Sequence, residues 1–156
     1  MAVDDSQREV LLLSIHPSYS QAILAGEKTV ELRRQRPRVG PGSICVVYET
    51  SPTMALVGAF AIEELVEDAP TVLWKRFQSA VCVRSERFFQ YYAGRERAIG
   101  IRIRRVWAFR DPVHLTQLRQ LWPSFQPPQG FRYLRTDELG ELSLELSGRG
   151  VLRLST

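Results

Sequence analysis

Short runs of alternating apolar and polar residues, broken at irregular intervals by small helices, constrain this 156-residue chain more than any other feature. The clearest run is Ala98 to Phe109, in which Ile99, Ile101 and Ile103 alternate with Gly100, Arg102 and Arg104. A period of two marks a strand with one buried face. The alternation breaks at Arg105-Val106, which predicts a bulge before Trp107. Val10 to Ile15, Thr29 to Arg33, Ile44 to Thr50 and Ala55 to Leu65 predict four more strands. Tyr19, Ala22, Ile23 and Gly26 fall at helical spacing, so Ser18 to Ala25 predicts a short helix closed by Gly26. Asp68 is placed to cap a helix through Leu73, Trp74 and Phe77. Ser85 is placed to cap another, which packs Phe88, Phe89, Tyr91 and Tyr92 and stops at Gly94. His114 to Leu121 predicts a further helix, Pro123 to Gly130 a loop, and Leu142 to Leu154 one or two closing strands around Gly148 and Gly150. Helices that do not alternate regularly with strands argue against a doubly wound parallel sheet. The expected fold is α+β and mostly β: a small, largely antiparallel barrel with short helices inserted between its strands.

The chain is 44% hydrophobic and 24% charged, enough apolar content for a core, which excludes wholesale disorder. Residues 1–9 read as a polar tail and 10–156 as one domain, with 136–156 as a C-terminal extension. No stretch approaches the roughly 18 continuous apolar residues of a membrane helix. Met1 to Arg8 has neither the basic nor the apolar region of a secretory signal. A soluble, cytoplasmic chain with no membrane partner is expected, and nothing in the sequence specifies an oligomeric state. Cys45 and Cys82 match no metal spacing, and Cys82 is expected to be an inert buried thiol. With no Gly-rich phosphate loop, zinc-spaced Cys/His set or nucleophile elbow in the sequence, no cofactor and no metal are expected.

The net charge is +4, but the distribution says more than the total. Residues 28–38 carry Lys28, Arg33, Arg34, Arg36 and Arg38 against Glu31, and residues 84–110 carry eight arginines against Glu86 and Glu96. The acids gather elsewhere, at Glu63, Glu64, Glu67 and Asp68 and again from Asp137. Basic regions set apart from acidic ones suit a polyanion partner, although a solvated mixed-charge surface has the same composition.

The densest chemistry lies in Gly26-Glu27-Lys28-Thr29-Val30-Glu31-Leu32-Arg33. Glu31 and Arg33 share a strand face, and Lys28 sits at the turn before it. Such a cluster can clamp a phosphate or a base edge. It can also do acid–base chemistry, since a desolvated lysine beside a carboxylate can move a proton. A plain salt-bridged strand edge is the alternative. His16-Pro17-Ser18-Tyr19 opens the preceding helix, whose N-terminus suits a phosphate, and His16 is either a proton carrier there or a capping residue. Glu49 ends a strand, where it can pair with Lys28 or Arg33 or be a solvated turn residue. Arg102 and Arg104 can form a phosphate track. Gln129, in Pro127-Pro128-Gln129-Gly130-Phe131-Arg132-Tyr133-Leu134, has an amide able to bond a base edge. Phe131 and Tyr133 can stack bases or merely cover the barrel end.

Gly26-x-Lys28-x-x-Glu31-x-Arg33 after a short helix resembles the signature of the ASCH family, whose members have a PUA-like β-barrel. The order of strand, helix, motif strand, Pro/Gly-rich basic loop and the strand Ile44-Cys45-Val46-Val47-Tyr48 is similar to that family from about Leu11 to Phe109. The resemblance implies RNA or nucleotide binding in a cleft beside the motif. The expected contacts are Ser18, Tyr19, Lys28, Glu31, Arg33, Arg34, Arg36, Arg102, Arg104 and Gln129. Ribonuclease relatives, and small amidohydrolases that deacetylate N4-acetylated cytidine, imply hydrolysis as the alternative, with Lys28 and Glu31 as its acid–base pair. The amidohydrolase pattern keeps its lysine at Lys28 but has Glu31 where its threonine belongs, and Ala80-Val81-Cys82-Val83 offers no carboxylate before the later helix. A regulatory domain whose basic surface meets a protein is the third expectation.

Overall fold

A computed structural model describes residues 9–148 and, for the backbone, 151–153. The polar tail expected at the start lies outside these residues except for Glu9. Twelve elements follow along the described chain: β1 (Val10–Ile15), α1 (Pro17–Leu24), β2 (Val30–Arg33), β3 (Ile44–Glu49), β4 (Ala55–Asp68), α2 (Pro70–Phe77), α3 (Ser85–Tyr91), β5 (Ala98–His114), α4 (Leu115–Leu121), β6 (Phe131–Leu134), α5 (Thr136–Ser147) and β7 (Val151–Arg153). The strands form one sheet in the order β2-β5-β4-β3-β1-β6, with β7 joined to β5. Every pairing is antiparallel except β1 with β3, which α1, β2 and the basic loop connect as a crossover. This is the expected α+β barrel-like architecture.

Two long strands curl the sheet. β4 and β5 pair from Ala55↔His114 to Asp68↔Ala98, and the register slips at three places. Each slip adds local twist, so a ladder of this length bends instead of lying flat. One slip leaves Arg104 between the pairs Ile62↔Ile103 and Ala61↔Arg105, beside the bulge expected from the broken alternation. At the register slip around Gly58 the backbone comes too close for a side chain: a Cβ there would lie 2.4 Å from the carbonyl oxygen of Trp107 and 2.7 Å from Leu24 Cδ2. Glycine at this position is what lets α1 lie against the sheet.

Burial explains the continuous apolar run of β1. Leu11, Leu13 and Ile15 pack inside with Ile23 of α1, Val47, Phe60 and Ile101. Leu12 faces the opposite way, into a second cluster with Val46, Leu56, Leu118, Trp122 and Leu142. A strand covered on both faces has no polar side to show. A third cluster joins β2 to α2 and α3 through Val30, Leu32, Leu73, Phe77, Phe88 and Tyr92.

Four local expectations are corrected. Residues 136–147 form a helix, not closing strands: Leu139, Leu142 and Leu146 fall at helical spacing and face the second cluster. Glu138 closes that helix's capping box, while Val151–Arg153 pairs with β5 as a strand. The rest of the expected closing strands lies outside the described residues. Ala69, not Asp68, is the N-cap of α2; Pro70 starts that helix, and Asp68 Oδ1 instead accepts the Ala69 N–H at 2.8 Å. Arg84 is the N-cap of α3, with Ser85 as its first residue. Phe131–Leu134, for which no strand was expected after the Pro123 to Gly130 loop, forms β6, because its backbone satisfies the free edge of β1.

Candidate functional site

The sheet path ends at β2 on one side and β6 on the other, so the curled sheet has a seam. Side chains bridge it. Arg33 of β2 donates through Nη2 to the Ser14 carbonyl at 3.0 Å and through Nη1 to the Gly130 carbonyl at 3.3 Å. The Arg38 N–H donates to the Tyr133 hydroxyl at 2.7 Å, and the Arg38 guanidinium lies 4.8 Å from the centre of the Tyr133 ring. Along this seam opens a cleft of about 530 Å³, between the end of β1, the first turn of α1, β2 and α3. That is the size range of small-ligand sites.

The motif sequence builds the floor of the cleft. Gly26 takes φ +80°, the left-handed conformation that ends a helix without steric cost. The Gly26 N–H donates to the Ile23 carbonyl and the Glu27 N–H to the Ala22 carbonyl, the two bonds of a Schellman cap. The chain therefore turns back under α1 and delivers Lys28 into the interior, where it is 2% exposed. Its Nζ donates to the Val81 carbonyl at 2.5 Å, lies 3.8 Å from Glu31 Oε1 and 5.1 Å from the centre of the Tyr19 ring. Burial pushes the Lys28 amine below its ordinary value, with Glu31 pulling the other way.

Glu31 is 5% exposed. Its Oε2 accepts from Arg33 Nη2 at 2.8 Å and its Oε1 from the Leu32 N–H at 3.1 Å. The carboxylate thus orients Arg33 and offsets part of the Lys28 charge. Of the charged side chains lining the cleft, Lys28, Arg33, Arg34 and Arg87 are cations and Glu31 is the anion, so the cleft carries a net +3. On its rim, Arg34 Nε donates to the Tyr91 carbonyl at 2.8 Å and the guanidinium lies 4.2 Å from the Tyr91 ring centre. Burial raises the Tyr91 phenol, which stays a donor at neutral pH and reaches the Leu32 carbonyl at 3.4 Å.

Seven expected residues line this one cleft: Ser18, Tyr19, Lys28, Glu31, Arg33, Arg34 and Gln129. Three do not. Arg36 is exposed and pairs with Glu67 at 3.4 Å, Arg102 pairs with Glu64 at 2.6 Å, and Arg104 points outward from β5. None of the three lines the cleft. Glu49 meets neither Lys28 nor Arg33. It is 4% exposed and accepts from the Ser20 and Thr53 hydroxyls, tying α1 to the end of β3. Phe131 and Tyr133 pack against the inner core. Cys82 is exposed and not buried, on a backbone with φ +53°. Sequence reasoning missed Ser14, Arg87, Gln90 and Tyr91. The α3 aromatics read as packing, and only Phe88 and Tyr92 are fully that; Tyr91 is partly exposed toward the cleft. Among the described residues no group of three or more His, Cys, Asp or Glu side chains is placed to hold a metal, and no helix is long and apolar enough to cross a membrane.

A small α+β barrel of the PUA-like kind, with a cationic cleft at its seam beside a Gly-x-Lys-x-x-Glu-x-Arg strand, defines the class of protein. The chain belongs to the ASCH domain family, whose model matches residues 13–106. It is similar to the ASCH domain-containing ribonuclease of Zymomonas mobilis, with 30% identity over 139 residues that cover 89% of this chain and 93% of that protein. The crystal structure of ASCH from Zymomonas mobilis matches with a TM-score of 0.83, covering 88% of this chain and 96% of that one. A further match, 24% identical over 133 residues, pairs 85% of this chain with 41% of the large ribosomal subunit protein uL22 of Ureaplasma parvum.

Proposed function

We propose that the seam cleft binds RNA and cleaves its phosphodiester backbone. The observation that carries the proposal is the buried Lys28–Glu31–Arg33 cluster at the floor of a cleft with net charge +3. Burying an ammonium without use for it is costly, and a desolvated cation aimed at a cleft stabilises charge that develops there far more than an exposed one does. Lys28 has three N–H bonds, of which Val81 takes one and Glu31 lies beyond hydrogen-bond distance. The remainder can meet a phosphoryl oxygen. A lysine held below its ordinary value also gives up a proton more readily, which suits protonation of a departing alkoxide. Arg34, Arg87 and the first turn of α1 supply further phosphate contacts, and the Gln129 amide can meet a base edge. The ribonuclease relative, aligned over nearly its whole length, supports the same reading.

Amide hydrolysis on an acylated nucleoside is the competing chemistry, and the site favours it less. What meets Lys28 from the segment before α3 is the Val81 backbone carbonyl, not a carboxylate. The experiment is mass spectrometry of short single-stranded RNAs and of N4-acetylcytidine incubated with the purified chain. RNA fragments that end in a cyclic phosphate are the expected result. Intact RNA would overturn cleavage, with or without deacetylated cytidine, and no RNA binding at about 0.15 M salt, where a few phosphate contacts still hold affinity, would overturn the binding reading as well.

A further inference from the structure

Cleavage of RNA by its own 2′-hydroxyl needs a group to take that hydroxyl's proton, and most of the charged groups in the cleft are already committed. Glu31 accepts through both oxygens, from Leu32 and Arg33. Arg33, Arg34 and Arg87 have no lone pair to offer. Tyr19 and Tyr91 present hydroxyl donors. Lys28 is the buried cation, held by Val81 and Glu31. One group differs from all of these. His16 is exposed and lines the same cleft. It is the N-cap of α1, on extended backbone, so its side chain projects beside the first turn of that helix.

Its surroundings suit a base. The His16 Nδ1 lies 3.3 Å from Ser18 Oγ, and its ring centre lies 6.1 Å from that of Tyr19. In the tautomer whose Nδ1–H donates to Ser18, Nε2 is free to accept a proton. The Tyr19 ring is also the one over which Lys28 Nζ sits at 5.1 Å, so an imidazole and an ammonium flank a single aromatic side chain. The titratable and charged groups that share the cleft with His16 are Tyr19 of α1; Lys28, Glu31, Arg33 and Arg34 from the motif strand and its ends; and Arg87 and Tyr91 of α3.

We propose that His16 is the general base of the cleavage reaction, an assignment that rests on the RNA-cleaving reading above. His16 Nε2 takes the 2′-hydroxyl proton as the 2′-oxygen forms its bond to phosphorus. The bond from phosphorus to the 5′-oxygen breaks, and the Lys28 ammonium gives its proton to that oxygen. The products are a 2′,3′-cyclic phosphate and a 5′-hydroxyl, and exchange with water restores both groups.

The experiment measures kcat against pH for the wild type and His16→Gln on an RNA oligonucleotide. Affinity is measured separately on an oligonucleotide with 2′-deoxyribose at the cleaved position. The wild type is expected to show an acid limb, because a general base must be unprotonated to act. His16→Gln is expected to lose about 100-fold in kcat at neutral pH and to lose that limb, with affinity for the deoxy oligonucleotide within threefold and an unchanged melting temperature. A His16→Gln chain that keeps both rate and limb overturns the assignment while leaving RNA cleavage intact. An equal loss of affinity makes His16 a binding residue and also overturns it. Cleavage of the deoxy oligonucleotide removes the 2′-hydroxyl from the reaction and His16 with it. A wild type that cleaves no RNA removes the underlying reading together with this one.

Discussion

Glu31 and Glu138 are buried to nearly the same extent, 5% and 4% exposed, and each meets an arginine, yet their surroundings differ in sign. Arg132 grips Glu138 with two bonds of 2.6 and 3.2 Å, and the Arg135 N–H adds a third at 2.9 Å. Burial alone would raise that carboxyl, but these hydrogen bonds outweigh it and hold Glu138 below the ordinary range. Every contact there favours the charged form, and together they fasten α5 to β6. Around Glu31 the cluster includes Lys28, whose charged form burial disfavours. A charge that its surroundings favour stabilises the fold; a charge kept against its surroundings marks a site.

The largest effect expected from this contrast is at Lys28. Lys28→Met should lower RNA cleavage by about 100- to 1000-fold, the usual cost of losing one donor to developing charge. Its melting temperature at pH 7 should equal or exceed that of the wild type. The sign follows from the lowered amine: below its folded value, folding carries the cost of burying an ammonium, and that cost fades as pH rises toward the unfolded value of 10.5. The gain from Met should therefore shrink between pH 7 and pH 10 in thermal unfolding. A variant that melts several degrees lower at pH 7 would place Lys28 with Glu138 and break the contrast.

Glu138→Gln is expected to behave in the opposite way. It should cost about 1–3 kcal/mol in urea unfolding at pH 7, because the charge and one of the two acceptor oxygens that Arg132 and the α5 cap use are lost. Cleavage measured well below the unfolding temperature should be unchanged. Because the folded carboxyl lies below its ordinary 4.5, its contribution is present above that value and is lost as pH falls through the folded one. The gap between the wild type and the variant should thus narrow as unfolding experiments are taken below pH 4.5. A gap that does not narrow as pH falls would show that packing, not charge, holds α5.

The same contrast shows what was legible in the sequence. Of the strands β1 to β5, β1 was readable from a short apolar run stopped at His16-Pro17 and the others from two-residue alternation or Pro/Gly punctuation, and the motif glycine announced the Schellman turn that buries Lys28. The α5 helix was masked by glycines at 140 and 148 and by Leu-Ser-Leu alternation, although Leu139, Leu142 and Leu146 already carried its period. β6 owes its strand to a partner more than a hundred residues earlier, which no local pattern encodes. In the cleft, the groups close to the motif in sequence were found. Arg87, Gln90 and Tyr91 arrive from α3 through tertiary packing, and the aromatic run there looks like core because half of it is core. Charge counting could not separate Arg33 from Arg102, since both are arginines on strands. Only the seam makes one a clamp and leaves the other on an outer face.

That separation gives the smallest expected effect, and it tests the boundary of the cleft. Arg102 is paired with Glu64 at 2.6 Å, but both side chains are about two-fifths exposed, and exposed ion pairs contribute little. Arg102→Ala should change stability by less than about 0.5 kcal/mol and leave kcat unaltered. The slope of RNA affinity against salt should also stay the same, whereas Arg34→Ala should reduce it by about one contact. The two variants remove the same charge, one from β5 and one from just past the end of the neighbouring β2, so a shared change in slope would mean that RNA runs over the outer face as well. A change confined to Arg34 would limit the path to the seam.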